Sequence, residues 1–207
     1  GAQTWKSVGN RTSVFDDAAP AAVYAPAGAT IDIVAETAAE IGVASAPGET
    51  GRPARLIEAS TMKRSVRGTG ANTRYVCDIL PQQEPADHLL VVEVRTPAGH
   101  ASSYPPHKHD TDNLPAESSL EETYYHRLAP AQGFAFQNAG GPTAPGTEHI
   151  AVTETAAGRH AFEISQADPP GNQIRHMHID RLETGATERC RHIDLTVDAL
   201  LAQDGDT

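Results

Sequence analysis

The sequence predicts an all-β chain of the barrel or sandwich type, on three observations. Short β-branched or aromatic runs recur at close spacing, clusters of Gly, Pro, Asp and Asn separate them, and side chains alternate within them. The longest apolar run, Leu89-Leu90-Val91-Val92, has strand length and falls far short of the roughly 20 residues that span a bilayer. At 207 residues the chain can form one large or two small domains with real cores.

Taken in order, residues 1–46 hold strand candidates at Ser13-Val14-Phe15, Ala22-Val23-Tyr24 and Thr30-Ile31-Asp32-Ile33-Val34, separated by Asp16-Asp17 and Pro26-Ala27-Gly28. Residues 47–54, with Pro47, Gly48, Gly51 and Pro53, read as a linker that begins around Ala46. A second lobe over 55–137 opens with Arg55-Leu56-Ile57, Lys63 to Arg67, Thr73 to Leu80 and His88 to Val94, and the turn Pro97-Ala98-Gly99 closes the last of these. Residues 110–119 form a polar loop suited to the rim of a site. From Asn138 the composition changes: the tail 138–207 has one aromatic, Phe162, and five of the ten histidines. Short strands are expected there at His149 to Val152 and Ala161 to Ile164, and Asp194 to Leu201 carries an N-capped helix pattern.

The chemistry concentrates in Ser103-Tyr104-Pro105-Pro106-His107-Lys108-His109-Asp110, followed by Leu120-Glu121-Glu122-Thr123-Tyr124-Tyr125-His126-Arg127. On a strand His107 and His109 leave one face and Lys108 the other, which makes a two-imidazole pincer. The two prolines stiffen the approach to it. Glu122, opening the β-prone run Thr123-Tyr124-Tyr125, can add a carboxylate oxygen at roughly 2 Å from a divalent ion, with Glu121 as its neighbour. His-x-His pairs also occur on solvated strands without metal. His-x-His plus Glu resembles the metal signature of the cupin barrel, a jelly-roll fold, with a long loop before the Glu.

A wider resemblance rests on Arg11-Thr12-Ser13-Val14-Phe15-Asp16, Ala22 to Gly28, Asn72-Thr73-Arg74, Val91 to Val94, Ser102 to Asp110, Leu120 to Arg127 and Gln132 to Gln137. Over residues 1 to 137 the chain resembles the bacterial 5-deoxy-glucuronate isomerase family of inositol catabolism. These two-cupin chains are relatives of 4-deoxy-5-threo-hexosulose-uronate ketol-isomerase. The resemblance implies a partial N-terminal cupin lobe over 1–46, a metal-binding cupin lobe over 55–137 and a divergent tail. A partial lobe leaves an open sheet edge that something else must cover.

It also implies a metal-dependent aldose-ketose isomerase that turns 5-deoxy-glucuronate into 2-deoxy-5-keto-gluconate. His107, His109 and Glu122 would hold a divalent transition metal (zinc, manganese or iron), and Glu121 and Tyr124 are the candidates for the general base. Lys108 and Arg127 can each offer a cation to a sugar carboxylate, and His126, in the same period-two series as Glu122, can touch the substrate. In the family a fourth ligand is a histidine in a Gly-Tyr-His-Pro context, and no such sequence follows Gln137 here. His176-Met177-His178 with Glu183 repeats the theme, but Asp168-Pro169-Pro170-Gly171 stands where an aliphatic strand should lead into it.

The net charge of −11 argues against nucleic acid or an anionic membrane surface and leaves a small partner, which the resemblance makes a sugar acid, with a homo-oligomer compatible. Cys77 and Cys190 have no metal or redox spacing, which fits a reducing cytoplasm, and Gly1 to Lys6 has no signal-peptide character. No G-x-S-x-G, P-loop or dinucleotide fingerprint occurs. The rival readings are a non-haem iron cupin that uses oxygen, since two histidines and a carboxylate also form that triad, and an inactive family fragment.

Overall fold

The computed structural model describes residues 2–48, 51–102, 112–116, 118, 120–127, 152–153, 160–167, 176–182, 185, 187–190 and 197–204. They are almost entirely strand: β1 (Ala22–Ala25), β2 (Ile31–Val34), β3 (Ala39–Pro47), β4 (Arg55–Ile57), β5 (Lys63–Arg67), β6 (Arg74–Leu80), β7 (Leu89–Arg95), β8 (Leu120–Arg127), β9 (Val152–Thr153), β10 (His160–Ala167), β11 (His176–Leu182), β12 (Thr187–Cys190) and β13 (Val197–Asp204). Helix among these residues is limited to 3₁₀ turns at Ala59–Thr61 and Gly70–Asn72. The chain divides into two compact units. The first joins residues 1–62, 82–89 and 172–207, and the second joins 63–81 and 90–171.

In the first unit a five-stranded sheet runs β11-β3-β13-β1-β4, and β2 pairs with β12. Its core packs Val23, Ala35, Ala39, Ile41 and Val43 against Trp5, Ile31, Ile33 and Leu56. β2 shows why the pattern Ile-Asp-Ile-Val becomes a strand: Ile31 and Ile33 turn toward the core while Asp32 and Val34 face solvent. Tyr24 on β1 is fully buried, and its register partner Arg55 lays its guanidinium over the ring at 4.7 Å from the centroid. Arg52 Nε donates to Asp87 Oδ1 at 2.7 Å, and Arg55 donates to the Pro85 carbonyl, so two arginines strap residues 84–87 to the β4 region.

Several expectations change here. Ser13-Val14-Phe15 is a turn, because the Asp16 carboxylate accepts from the Thr12 and Ser13 amides at 2.8 and 3.1 Å and from the Thr12 hydroxyl. The same bonds, led by the Thr12 amide, hold the Asp16 carboxyl below its ordinary range. The expected linker begins inside β3, where Ala46 is fully buried. The helix pattern at Asp194 to Leu201 gives way to β13, which pairs on both sides, with β3 and with β1; residues 194–196 lie outside the described residues. Two rows of ladder bonds and partners that are mostly apolar on both sides outweigh a weak helix propensity. The expected open edge is thus covered by β13 and β11 from the tail.

In the second unit the sheet order is β5-β6-β7-β10-β8-β9. Its core takes Val76, Ile79 and Leu80 from β6 and Val91 and Val94 from β7, and the Cys77 thiol is buried beside them. Each such apolar side chain contributes about 1.5–3 kcal/mol when fully buried. β5 is an edge, and its Lys-Arg-Ser-Val-Arg sequence with four exposed positions guards against pairing with another chain. Gly68, between β5 and β6, has φ +75°, and a Cβ there would lie 2.0 Å from the Asn72 carbonyl oxygen. Gly68→Ala is therefore expected to destabilise the protein by about 1–3 kcal/mol, read as a lower urea midpoint. An unchanged midpoint would mean that the turn relaxes freely.

Candidate metal centre

The run Glu122-Thr123-Tyr124-Tyr125 folds as expected, inside β8. This strand lies between β10, antiparallel, and β9, parallel. The register with β10 is unbroken from Leu120↔Ala167 to Arg127↔His160, so the two faces alternate regularly along its whole length. One series holds positions 122, 124 and 126, facing Ser165, Glu163 and Ala161 across the ladder; the other holds 121, 123, 125 and 127, facing Gln166, Ile164, Phe162 and His160.

The two faces differ chemically. Tyr125 is buried, and its ladder partner is Phe162, with Thr123 opposite Ile164, so the middle of this face is apolar between the polar pairs Glu121/Gln166 and Arg127/His160. Tyr124 and His126 on the other face are half-buried, and their rings stack with centroids 6.1 Å apart and planes within 5°. Tyr124 and His126 thus share a partly open side of the strand, in the period-two series of position 122. The strand therefore brings Tyr124 and His126 together in the series of Glu122, and it puts Glu121 and Arg127 in the alternate series. Arg127, expected to offer its cation to substrate, is 5% exposed beside Tyr125.

His107, Lys108 and His109 lie outside the described residues. Among the described residues no group of three or more His, Cys, Asp or Glu side chains is placed to hold a metal. The donor set still fits one: two imidazoles and a carboxylate are the ligands that zinc, manganese and iron accept. Position 122 falls on the polar face, in line with Tyr124 and His126. The second His-x-His pair lies on β11 at the edge of the first unit's sheet, where His176 and His178 are in register with Ser45 and Val43. In the expected rim loop, residues 112–116 are exposed, and Leu114 is 71% exposed.

Reading the sequence missed Glu163, which β10 sets directly across from Tyr124 in the series of Glu122. The signal was the alternation of Glu163 and Ser165 with Phe162 and Ile164, which marks a strand with one polar and one apolar face. Its partner strand could not be read, because β8 and β10 are far apart in sequence. Among the described residues no helix is long and apolar enough to cross a membrane.

A model of the KduI/IolB family matches residues 1–161, running past Gln137 and across the whole of β8. The 5-deoxy-glucuronate isomerase of Geobacillus kaustophilus is 51% identical over 135 residues, covering 65% of this chain and 49% of that protein. The enzyme of that name from Lacticaseibacillus casei is 46% identical over 156 residues, 75% of this chain and 55% of that protein. The chain spans about half the length of the curated relatives it matches. An IolB-like protein from Salmonella typhimurium LT2 superposes with a TM-score of 0.51 at 26% identity, over 81% of this chain and 89% of that one. With an all-β fold of the cupin type and a family match over residues 1–161, the chain belongs to the KduI/IolB family.

Proposed function

We infer that this chain carries the metal-binding lobe of a cytoplasmic aldose-ketose isomerase that acts on 5-deoxy-glucuronate and yields 2-deoxy-5-keto-gluconate. The supporting observation is that the match to relatives named 5-deoxy-glucuronate isomerase coincides with a strand, β8, whose polar face bears Tyr124 and His126 in series with position 122.

His107, His109 and Glu122 would hold the divalent ion. Once bound, the ion would polarise the aldehyde oxygen and the neighbouring hydroxyl of the sugar, which acidifies the carbon-bound proton between them. A general base then removes that proton, an enediol forms, and the proton is returned to the former aldehyde carbon, so no oxidant or reductant is consumed. Of the two candidate bases, Tyr124 lies in the series of Glu122 and Glu121 does not, which favours Tyr124. A well-placed base of this kind contributes about 10²–10⁴-fold. His126, stacked on Tyr124, would orient the phenol, and Lys108 and Arg127 are the candidate cations for the substrate carboxylate, Arg127 being buried in the alternate series.

Metal analysis combined with an oxygen electrode tests this reading against an oxygen-using cupin. Stoichiometric metal with no oxygen uptake in the presence of 5-deoxy-glucuronate is expected. Substrate-dependent oxygen consumption would replace the isomerase by an oxygenase.

A further inference from the structure

We propose that Glu163 on β10 is the group that receives the carbon-bound proton, which reaches it through the Tyr124 hydroxyl. This rests on the isomerase reading above and names the partner that Tyr124 needs in order to act as its base.

A phenol keeps its proton at neutral pH, so its oxygen can take a proton from carbon only while its own proton leaves. A carboxylate is ionised at that pH, which makes a Glu or Asp beside the phenol the fitting acceptor. The register supplies one. β10 sets Glu163 directly across from Tyr124, and directly opposed residues of an antiparallel pair leave the same face with Cβ atoms roughly 4.5–5.5 Å apart. The ladder runs unbroken from Leu120↔Ala167 to Arg127↔His160, so no bulge turns either residue to the other side of the sheet.

The neighbouring positions leave this role to Glu163. In the same series β10 puts Ala161 opposite His126 and Ser165 opposite Glu122, and Glu163 is the one acid in the whole of His160–Ala167. On the other side of β8, the short strand β9 pairs with Tyr125 and His126 through Val152 and Thr153, neither of which titrates. Of the acids on β8 itself, Glu121 belongs to the alternate series and Glu122 is committed to the ion. The His126 ring, stacked on that of Tyr124 with planes within 5°, braces the phenol from along the strand, while Glu163 faces it from across the ladder.

The protons balance. The proton on the hydroxyl-bearing carbon moves to Tyr124 Oη as the phenolic proton moves to the Glu163 carboxylate. The C–H electron pair becomes the enediol double bond, and the carbonyl pair moves to the aldehyde oxygen, which takes the proton of the neighbouring hydroxyl. The second half runs in reverse: Glu163 returns its proton to Tyr124, the phenol gives one to the former aldehyde carbon, and the carbon that carried the hydroxyl becomes the ketone.

The test uses the full, untagged chain loaded with zinc, at a concentration equal to that of 5-deoxy-glucuronate. Glu163→Gln should slow conversion by about 100-fold while zinc uptake stays equal to that of the parent. Tyr124→Phe/Glu163→Gln should be no slower than Tyr124→Phe alone, because two members of one relay do not lose their effects additively. Added formate should accelerate Glu163→Ala, where it supplies the missing carboxylate, and leave the parent unchanged. Amide exchange on β8 monitors folding, and if the glutamine variant unfolds, the alanine variant with and without formate decides.

A folded glutamine variant that turns over like the parent would overturn the proposal and leave the isomerase reading in place, with Glu163 a solvated strand residue. Additive losses in the double variant, or an alanine variant that formate does not accelerate, would overturn the relay in the same way. Weaker zinc uptake by the glutamine variant would overturn it in favour of Glu163 as a ligand. A zinc-loaded parent that converts nothing would instead sink the isomerase reading, and the relay with it.

Discussion

Replacing His107 and His109 together by alanine is expected to abolish stoichiometric uptake of a divalent metal by the untagged chain at neutral pH. The reason is ligand count. In the proposed set the two imidazoles provide most of the donor strength, and removing both leaves Glu122 as a single carboxylate, which water and buffer displace from zinc or manganese. The loss should come without a comparable loss of fold, because β6, β7 and β8 draw their stability from Val76, Ile79, Leu80, Val91 and Tyr125 rather than from the histidines. Metal content after chelation and reloading gives the answer, with circular dichroism as the control for folding. Unchanged uptake in the double variant would remove the assignment. The parallel variant His176→Ala/His178→Ala should bind as the parent does, and a loss there would move the centre to β11.

The second large effect concerns turnover. At equal concentration and with metal in excess, this chain should convert 5-deoxy-glucuronate at least about 100-fold more slowly than a full-length family member, since small misplacements of a reacting centre cost that much. The family pattern calls for a fourth histidine after an aliphatic strand, in a Gly-Tyr-His-Pro setting that does not occur after Gln137. The structure adds a specific reason at His160. β10 sets it opposite Arg127, in the series that excludes Glu122, Tyr124 and His126. His176 and His178 lie on β11; His149 and His192 lie outside the described residues. An incomplete set weakens metal affinity and misplaces the positive charge that the enediol requires. Turnover equal to that of the full-length relative would show that one of these histidines does serve.

What the sequence discloses and what it hides follow from the range of the interactions. β4 to β8 lie close to where alternation and turn residues put them, because each is a local pattern of β-branched and apolar residues bounded by Gly, Pro or Asp. The turn at Ser13 to Phe15 escaped because one side chain, Asp16, captures two backbone amides that a strand would have used. The pairing of β3 with β13 and β11 escaped because it joins residues 39–47 to residues 176–204, and nothing local to either segment names its partner. At the candidate centre, the series of Glu122, Tyr124 and His126 was legible from period two alone. The separation of Arg127 and Glu121 from it follows from the same period, but only the burial of Tyr125 and Arg127 shows which face is closed. Glu163 needed the β8–β10 register and could not be reached from the sequence.

The most direct measurement follows 5-deoxy-glucuronate by NMR in deuterated water, under nitrogen, with the chain at a concentration equal to the substrate so that a slow site still registers. The expected result is formation of 2-deoxy-5-keto-gluconate that stops when a chelator is added and resumes when zinc or manganese is restored. Conversion that ignores the chelator, or no conversion at all by the metal-loaded chain at this stoichiometry, would contradict the assignment of a metal-dependent isomerase site to His107, His109 and Glu122.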